Sequence, residues 1–148
     1  MKHFALRLSI IFCTLFASAF GYVQYQLQHP PKNLLFAQKQ IWAHRGMYPN
    51  KTENTIPAMQ AALQAGATGI ETDIFYDDSL QAFVVSHNYP YLMPDGKLLL
   101  LDEELATLNN SAYYWLDLKN LNTANAQILG TKLHKLLDKY HAVERAYI

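Results

Sequence analysis

The chain has 148 residues, 51% of them apolar, and its 12 basic and 12 acidic side chains cancel at neutral pH. That length holds one domain, that composition excludes a disordered chain, and the balanced charge excludes the basic footprint of a nucleic-acid binder. The single cysteine, Cys13, lies in the apolar N-terminal run. The folded part therefore has neither disulfides nor thiol chemistry, and any metal site in it must be built from oxygen and imidazole.

In chain order, Lys2 and Arg7 precede a nearly uncharged apolar run from Leu8 to Val23, the pattern of a basic n-region and an apolar h-region. Residues 1–22 are expected to be a signal peptide, with Ala17-Ser18-Ala19 as a small-x-small cleavage site, or an uncleaved membrane anchor. Either reading makes the protein exported: periplasmic or extracellular, or held at the membrane by this segment. Residues 23–38, with glutamines and the Pro30-Pro31 pair, read as a linker, and the domain is expected over 39–148. Gln40–Ala43 is a short strand candidate and Met47–Asn54 a loop. Thr55–Ala65 reads as a helix, capped by Asn54 or Thr55, with Pro57 in its first turn, Ile56, Met59 and Leu63 on one stripe, and Gly66 as its stop.

Gly69–Phe75 is the second strand, and Ala82–Ser86 is an extended segment leading to His87 and a Tyr/Pro-rich loop. Asp102–Leu108 is a short helix with Asp102 as cap, and Tyr113–Leu118 a third core strand. Thr123–Tyr140 is a long helix burying Ile128, Leu129, Leu133, Leu136, Leu137 and Tyr140, and Ala146–Ile148 begins a fourth strand. Repeated strand-helix units imply an α/β fold with a parallel sheet. The sheet is expected to carry an unprotected edge, a possible route to self-association.

The chemistry concentrates at strand ends. On Ile70-Glu71-Thr72-Asp73, residues two apart share a face, so Glu71 and Asp73 converge. Two neighbouring carboxylates repel and lose hydration, which a divalent cation resolves; an exposed acidic pair is the plainer alternative. Trp115, Asp117 and Lys119 share a face in the same way. Asp117 can complete an all-oxygen site suited to Ca²⁺ or Mg²⁺ rather than Zn²⁺, or simply form a surface pair with Lys119. His44, Arg45 and His87 supply two imidazoles and a guanidinium, a set that suits acid-base work on a phosphate ester. Each of the three taken alone is as readily an ordinary loop or core residue.

Together, Ala43-His44-Arg45-Gly46, Glu53-Asn54-Thr55, Gly66-Ala67, Ile70-Glu71-Thr72-Asp73 and Val84-Val85-Ser86-His87 resemble the glycerophosphodiester phosphodiesterase family, which is related to the phospholipase C-like phosphodiesterase barrels. The resemblance implies a (β/α)₈ TIM-type barrel with its site at the carboxyl ends of the strands. It further implies Glu71, Asp73 and Asp117 as ligands of one divalent cation, His44 and His87 as the general acid-base pair, Arg45 and Lys119 on the substrate phosphate, and Glu53 and Asn54 in support. The expected substrate is a small glycerophosphodiester, cleaved to an alcohol and glycerol phosphate.

Three departures stand out. Asn88 occupies a position where the family has aspartate, Asp117 replaces a glutamate, and a barrel of about 250 residues would have only about four of its eight strands here. The competing readings are a phospholipase acting on larger lipid phosphodiesters and a membrane-tethered, truncated remnant without activity.

Overall fold

The computed structural model describes residues 14, 16–25, 40–47, 49–91, 93 and 96–148. The chain divides into two units, Met1–Gln38 and Lys39–Ile148, each described here by itself. In the first, residues 16–25 are helical, and most of the expected signal and linker lies outside the described residues. No helix among the described residues is long and apolar enough to cross a membrane.

The second unit is built on five strands: β1 (Trp42–His44), β2 (Gly69–Asp77), β3 (Ala82–Val85), β4 (Tyr113–Leu118) and β5 (Ala146–Tyr147). Four run parallel in the order β1-β2-β4-β5, while β3 pairs antiparallel with the far end of β2. The helices between them are α1 (Ile56–Gln64), α2 (Leu101–Leu108) and α3 (Ala126–Lys139). This is the expected α/β arrangement. β2 runs two residues longer than its sequence pattern suggests, because β3 folds back to pair with Ile74–Asp77.

One sheet face is covered. Ile70, Ile74 and Tyr76 of β2 and Tyr114, Leu116 and Leu118 of β4 pack in the core with Met59 and Ala62 of α1, Leu101, Leu105 and Leu108 of α2, and Leu129, Leu133 and Leu137 of α3. The helix stripes that fill this core have the three- and four-residue spacing that puts apolar side chains on one side of a helix. α1 starts where expected, with Thr55 as N-cap accepting from the Ala58 N–H and Pro57 in the first turn. Asn54, the alternative cap, is buried and turned elsewhere.

Three helix expectations are corrected. α2 begins at Leu101 with no side-chain cap, and the Asp102 carboxylate instead accepts from Lys139 Nζ at 2.7 Å. α3 begins at Ala126, not Thr123, because Asn122 Oδ1 accepts from the N–H groups of Ala124 and Asn125 while Asn125 Oδ1 accepts from the Asn122 N–H. Such local side-chain bonds compete with helical pairing. Ile128, expected in the core, is 60% exposed, since it sits one position off the Leu129-Leu133-Leu137 stripe.

The opposite face is open and carries Glu71, Asp73, Phe75 and Asp77 from β2 and Trp115 and Asp117 from β4, the alternate positions of each strand. At its lower end Trp42 packs edge-on against Trp115 and Tyr147, with ring centroids 5.9 and 5.5 Å apart. Gly69 permits this, because a Cβ there would lie 2.5 Å from the Trp42 ring.

Candidate active site at the carboxyl ends of the parallel strands

β1 and β4 end on either side of the middle of β2, with His44 paired to Glu71 and Asp73 paired to Asp117 in register. Parallel pairing therefore delivers the chemistry-bearing residues of three separate segments to one end of the open face. Glu71, Asp73 and Asp117 each offer an oxygen within 4.8 Å of the others. A cleft of about 330 Å³ is lined by Trp42, His44, Glu71, Trp115 and Asp117.

Asp73 is the centre of the arrangement and is 1% exposed. Asn54 Nδ2 donates to its Oδ2 at 3.0 Å, Arg45 Nε lies 3.1 Å from the same oxygen, and Lys119 Nζ lies 2.7 Å from Oδ1. Lys119 also donates to Asp117. Arg45 is held from its other side by Glu53, with Nη1 at 3.1 and 3.3 Å from the two carboxylate oxygens. Its backbone turns with φ +56° and presents its N–H to Glu71 Oε2 at 2.8 Å. Gly46 follows at φ +61°, where a Cβ would meet Met59 of α1 at 2.6 Å, so the His-Arg-Gly turn needs both glycine's backbone freedom and its lack of a side chain.

These contacts shift the ionisation of two groups. Burial, with the Asp73 charge adding to it, raises Glu71 from its ordinary value against the opposing pull of the Arg45 N–H, His44 and Lys119. Partial burial lowers Lys119, but its contacts with Asp117 and Asp73 outweigh this and hold the ammonium above its ordinary value.

His44 Nε2 lies 3.8 Å from Glu71 Oε2, and its side chain is 60% exposed. His87 is partly buried and follows β3. The antiparallel return brings the chain back to the level of Asp73, whose C=O accepts from the Ser86 N–H at 3.0 Å, and His87 is the next residue. Thus His44, Arg45, Glu53, Asn54, Glu71, Asp73, Asp117 and Lys119 form one contact network, to which His87 is tied through the chain, one residue beyond the Ser86–Asp73 backbone bond.

Sequence reasoning missed Glu104. It is fully buried beneath the site, on the covered face, where Thr72 Oγ1 donates to its Oε1 at 2.9 Å. Burial pushes its pKa up to about 8. Glu104 sits at a core position of the Leu101-Leu105-Leu108 stripe, so a carboxylate on the apolar side of α2 was the available signal.

The three carboxylates fit a hard divalent cation. The donors are all oxygen, they converge from two strands, and buried Asp73 Oδ1 has the Lys119 ammonium beside it but no aligned hydrogen bond. Ca²⁺ and Mg²⁺ both accept such a set.

Residues 44–85 match the model of the glycerophosphoryl diester phosphodiesterase family, the stretch that carries most of the motif resemblance. The chain is also similar in structure to a glycerophosphodiester phosphodiesterase from Parabacteroides distasonis, with a TM-score of 0.60 and 20% identity over 72% of this chain and 54% of that one. A glycerophosphodiester phosphodiesterase from Agrobacterium tumefaciens gives a TM-score of 0.59 and 23% identity over 75% of this chain and 57% of that one. No curated protein sequence matches significantly. The family resemblance stands, and the architecture is that of a partial (β/α)₈ barrel. The chain spans little more than half the length of the solved proteins it resembles.

Proposed function

We propose that this unit supplies the metal-binding and phosphate-binding half of a phosphodiesterase that cleaves glycerophosphodiesters to glycerol phosphate and an alcohol. The observation that carries this reading is the convergence of Glu71, Asp73 and Asp117 with Arg45, Lys119 and His44 at one strand end. Cations interleaved with carboxylates suit a bound metal and a phosphodiester together, where either cluster alone would repel itself.

Glu71, Asp73 and Asp117 would hold the divalent cation, Ca²⁺ or Mg²⁺. When bound, such an ion polarises a phosphoryl oxygen and eases ionisation of an attacking hydroxyl. The Arg45 guanidinium, clamped by Glu53 and Asp73, has further N–H groups in a fixed plane for phosphate oxygens, which spares the orientational cost a free arginine would incur. Lys119 adds a second positive charge. His44 and His87 are the acid-base pair: one imidazole takes the proton from the attacking hydroxyl and the other gives a proton to the departing alcohol. Asn54 holds Asp73 in place through the 3.0 Å bond. Residues 1–22 act as a signal peptide or anchor and place the domain outside the cytoplasm.

The test is release of glycerol 3-phosphate from glycerophosphocholine by the chain, with and without chelator, beside Glu71→Ala and His44→Ala. Metal-dependent release lost in both variants supports the reading. Release that persists with chelator or in both variants overturns it. The short span relative to the solved proteins favours a second reading, a half barrel that binds cation without turning over alone; metal binding lost in Glu71→Ala with no release from the parent would identify it.

A further inference from the structure

We propose that Phe75, Tyr89 and Tyr91, with the Asp77 carboxylate, form a subsite for a cationic head group, a quaternary ammonium of the choline class, on the alcohol side of the diester; this deepens the reading above and rests on it. The argument starts from β2. Glu71, Asp73, Phe75 and Asp77 occupy alternate positions and so share the open face. At about 3.3 Å per residue, Phe75 stands ~7 Å beyond the carboxylate that anchors the site.

The loop after His87 then turns back over this column. Tyr91 packs on Phe75 with centroids 5.8 Å apart and planes at 56°, and Tyr89 packs on Tyr91 at 5.2 Å and 88°. Two rings at right angles and a third tilted against them give adjoining walls of the kind that surround alkylated ammonium groups. Core packing does not account for Tyr89, which is 75% exposed.

Charge supports the same assignment. Tyr91 donates its hydroxyl to Asp77 Oδ2 at 2.9 Å, while Oδ1 accepts from Ser79 and the Leu80 N–H. The Ser79, Leu80 and Tyr91 bonds hold Asp77 down at about 2, so it is anionic at any physiological pH. A hydroxyl donated to a carboxylate also makes the Tyr91 ring more electron-rich, which strengthens its attraction for a cation. The spacing fits as well. In a phosphocholine, phosphorus and nitrogen are separated by four bonds of about 1.5 Å, so with the phosphate near Asp73 the ammonium falls one strand step outward, among the rings. A neutral glycerol head would gain none of this, and an anionic one would be repelled by Asp77.

The test is NMR titration of the full chain with choline and tetramethylammonium, with glycerol as the neutral control, in the parent and in Tyr89→Ala and Glu71→Ala. Tyr89 is exposed, so its removal leaves the core intact. The expected result is binding of both cations but not glycerol, weakened about two- to fivefold in Tyr89→Ala and retained in Glu71→Ala. Equal binding in the parent and Tyr89→Ala, or no preference of the parent for the cations over glycerol, overturns the proposal. Where turnover is measurable, Tyr89→Ala should raise KM for glycerophosphocholine relative to glycerophosphoglycerol. Choline binding in a chain that hydrolyses neither diester would uphold the subsite and count against the hydrolase reading alone.

Discussion

Asp73 concentrates the consequences of the site in one side chain. It is buried, yet Arg45, Lys119 and Asn54 all address it. Asp73→Asn keeps the shape but leaves two cations facing a neutral amide, so it should destabilise the domain by about 3 kcal/mol, read as a lowered denaturant midpoint at unchanged m. Glu104 makes the opposite case. Its folded pKa of about 8 lies above the ordinary value of 4.5, so the folded state binds the extra proton. Its contribution is favourable below about pH 4.5 and is lost as pH rises through about 8. Thermal stability should fall across that window, and Glu104→Gln should flatten the slope. The two residues also differ in legibility. Asp73 was readable because strand alternation fixes its face, whereas the separation of 32 positions from Thr72 to Glu104 hides a contact that only packing of α2 under β2 creates.

At the scale of elements, the existence of the strands and the order of the helices were legible; the errors fell at element ends, as where β1 is Trp42–His44 and not Gln40–Ala43, and at Ile128. Periodicity marks the interior of α3, but the Asn122 and Asn125 side chains decide where it starts. The two kinds of position should separate in a stability measurement. Ile128→Lys, at an exposed site, should change unfolding free energy by no more than about 0.5 kcal/mol, whereas Leu133→Ala, fully buried in the same helix, should cost about 2–5 kcal/mol. Similar costs for both would mean that α3 packs on a different face. β2 is the organising element: its parallel portion aligns the carboxylates, and its extension beyond Asp73 pairs with β3 to return His87. The antiparallel return was visible in sequence only as an extended stretch, since alternation says nothing about pairing direction.

For the whole second unit, the half-length match explains an otherwise odd distribution of aromatic surface. Trp115 is 51% exposed on a central strand, and Trp42 and Tyr147 stack around it on the uncovered face. In a closed barrel that face is interior and is filled by side chains from the remaining strands. β1 and β5 are also unpaired on their outer sides among the described strands. Self-association of the chain is the expected outcome, seen in sedimentation velocity as a mass that rises with concentration and reduced by Trp115→Lys. A monomer at all concentrations would refute it.

Lys119 gives the site a further property. Its ammonium touches Asp73 and Asp117, two of the three converging carboxylates, so a divalent ion arriving among them takes a place that a built-in monovalent cation already competes for. Metal uptake at this site would therefore be an exchange of partners, not the filling of an empty charge well. Lys119→Met should bind Ca²⁺ or Mg²⁺ more tightly by calorimetry while handling a phosphodiester less well. On the proposed reading, a lysine displaced by the metal would be freed to meet a phosphate, so that loading one ligand would ready the grip on the other.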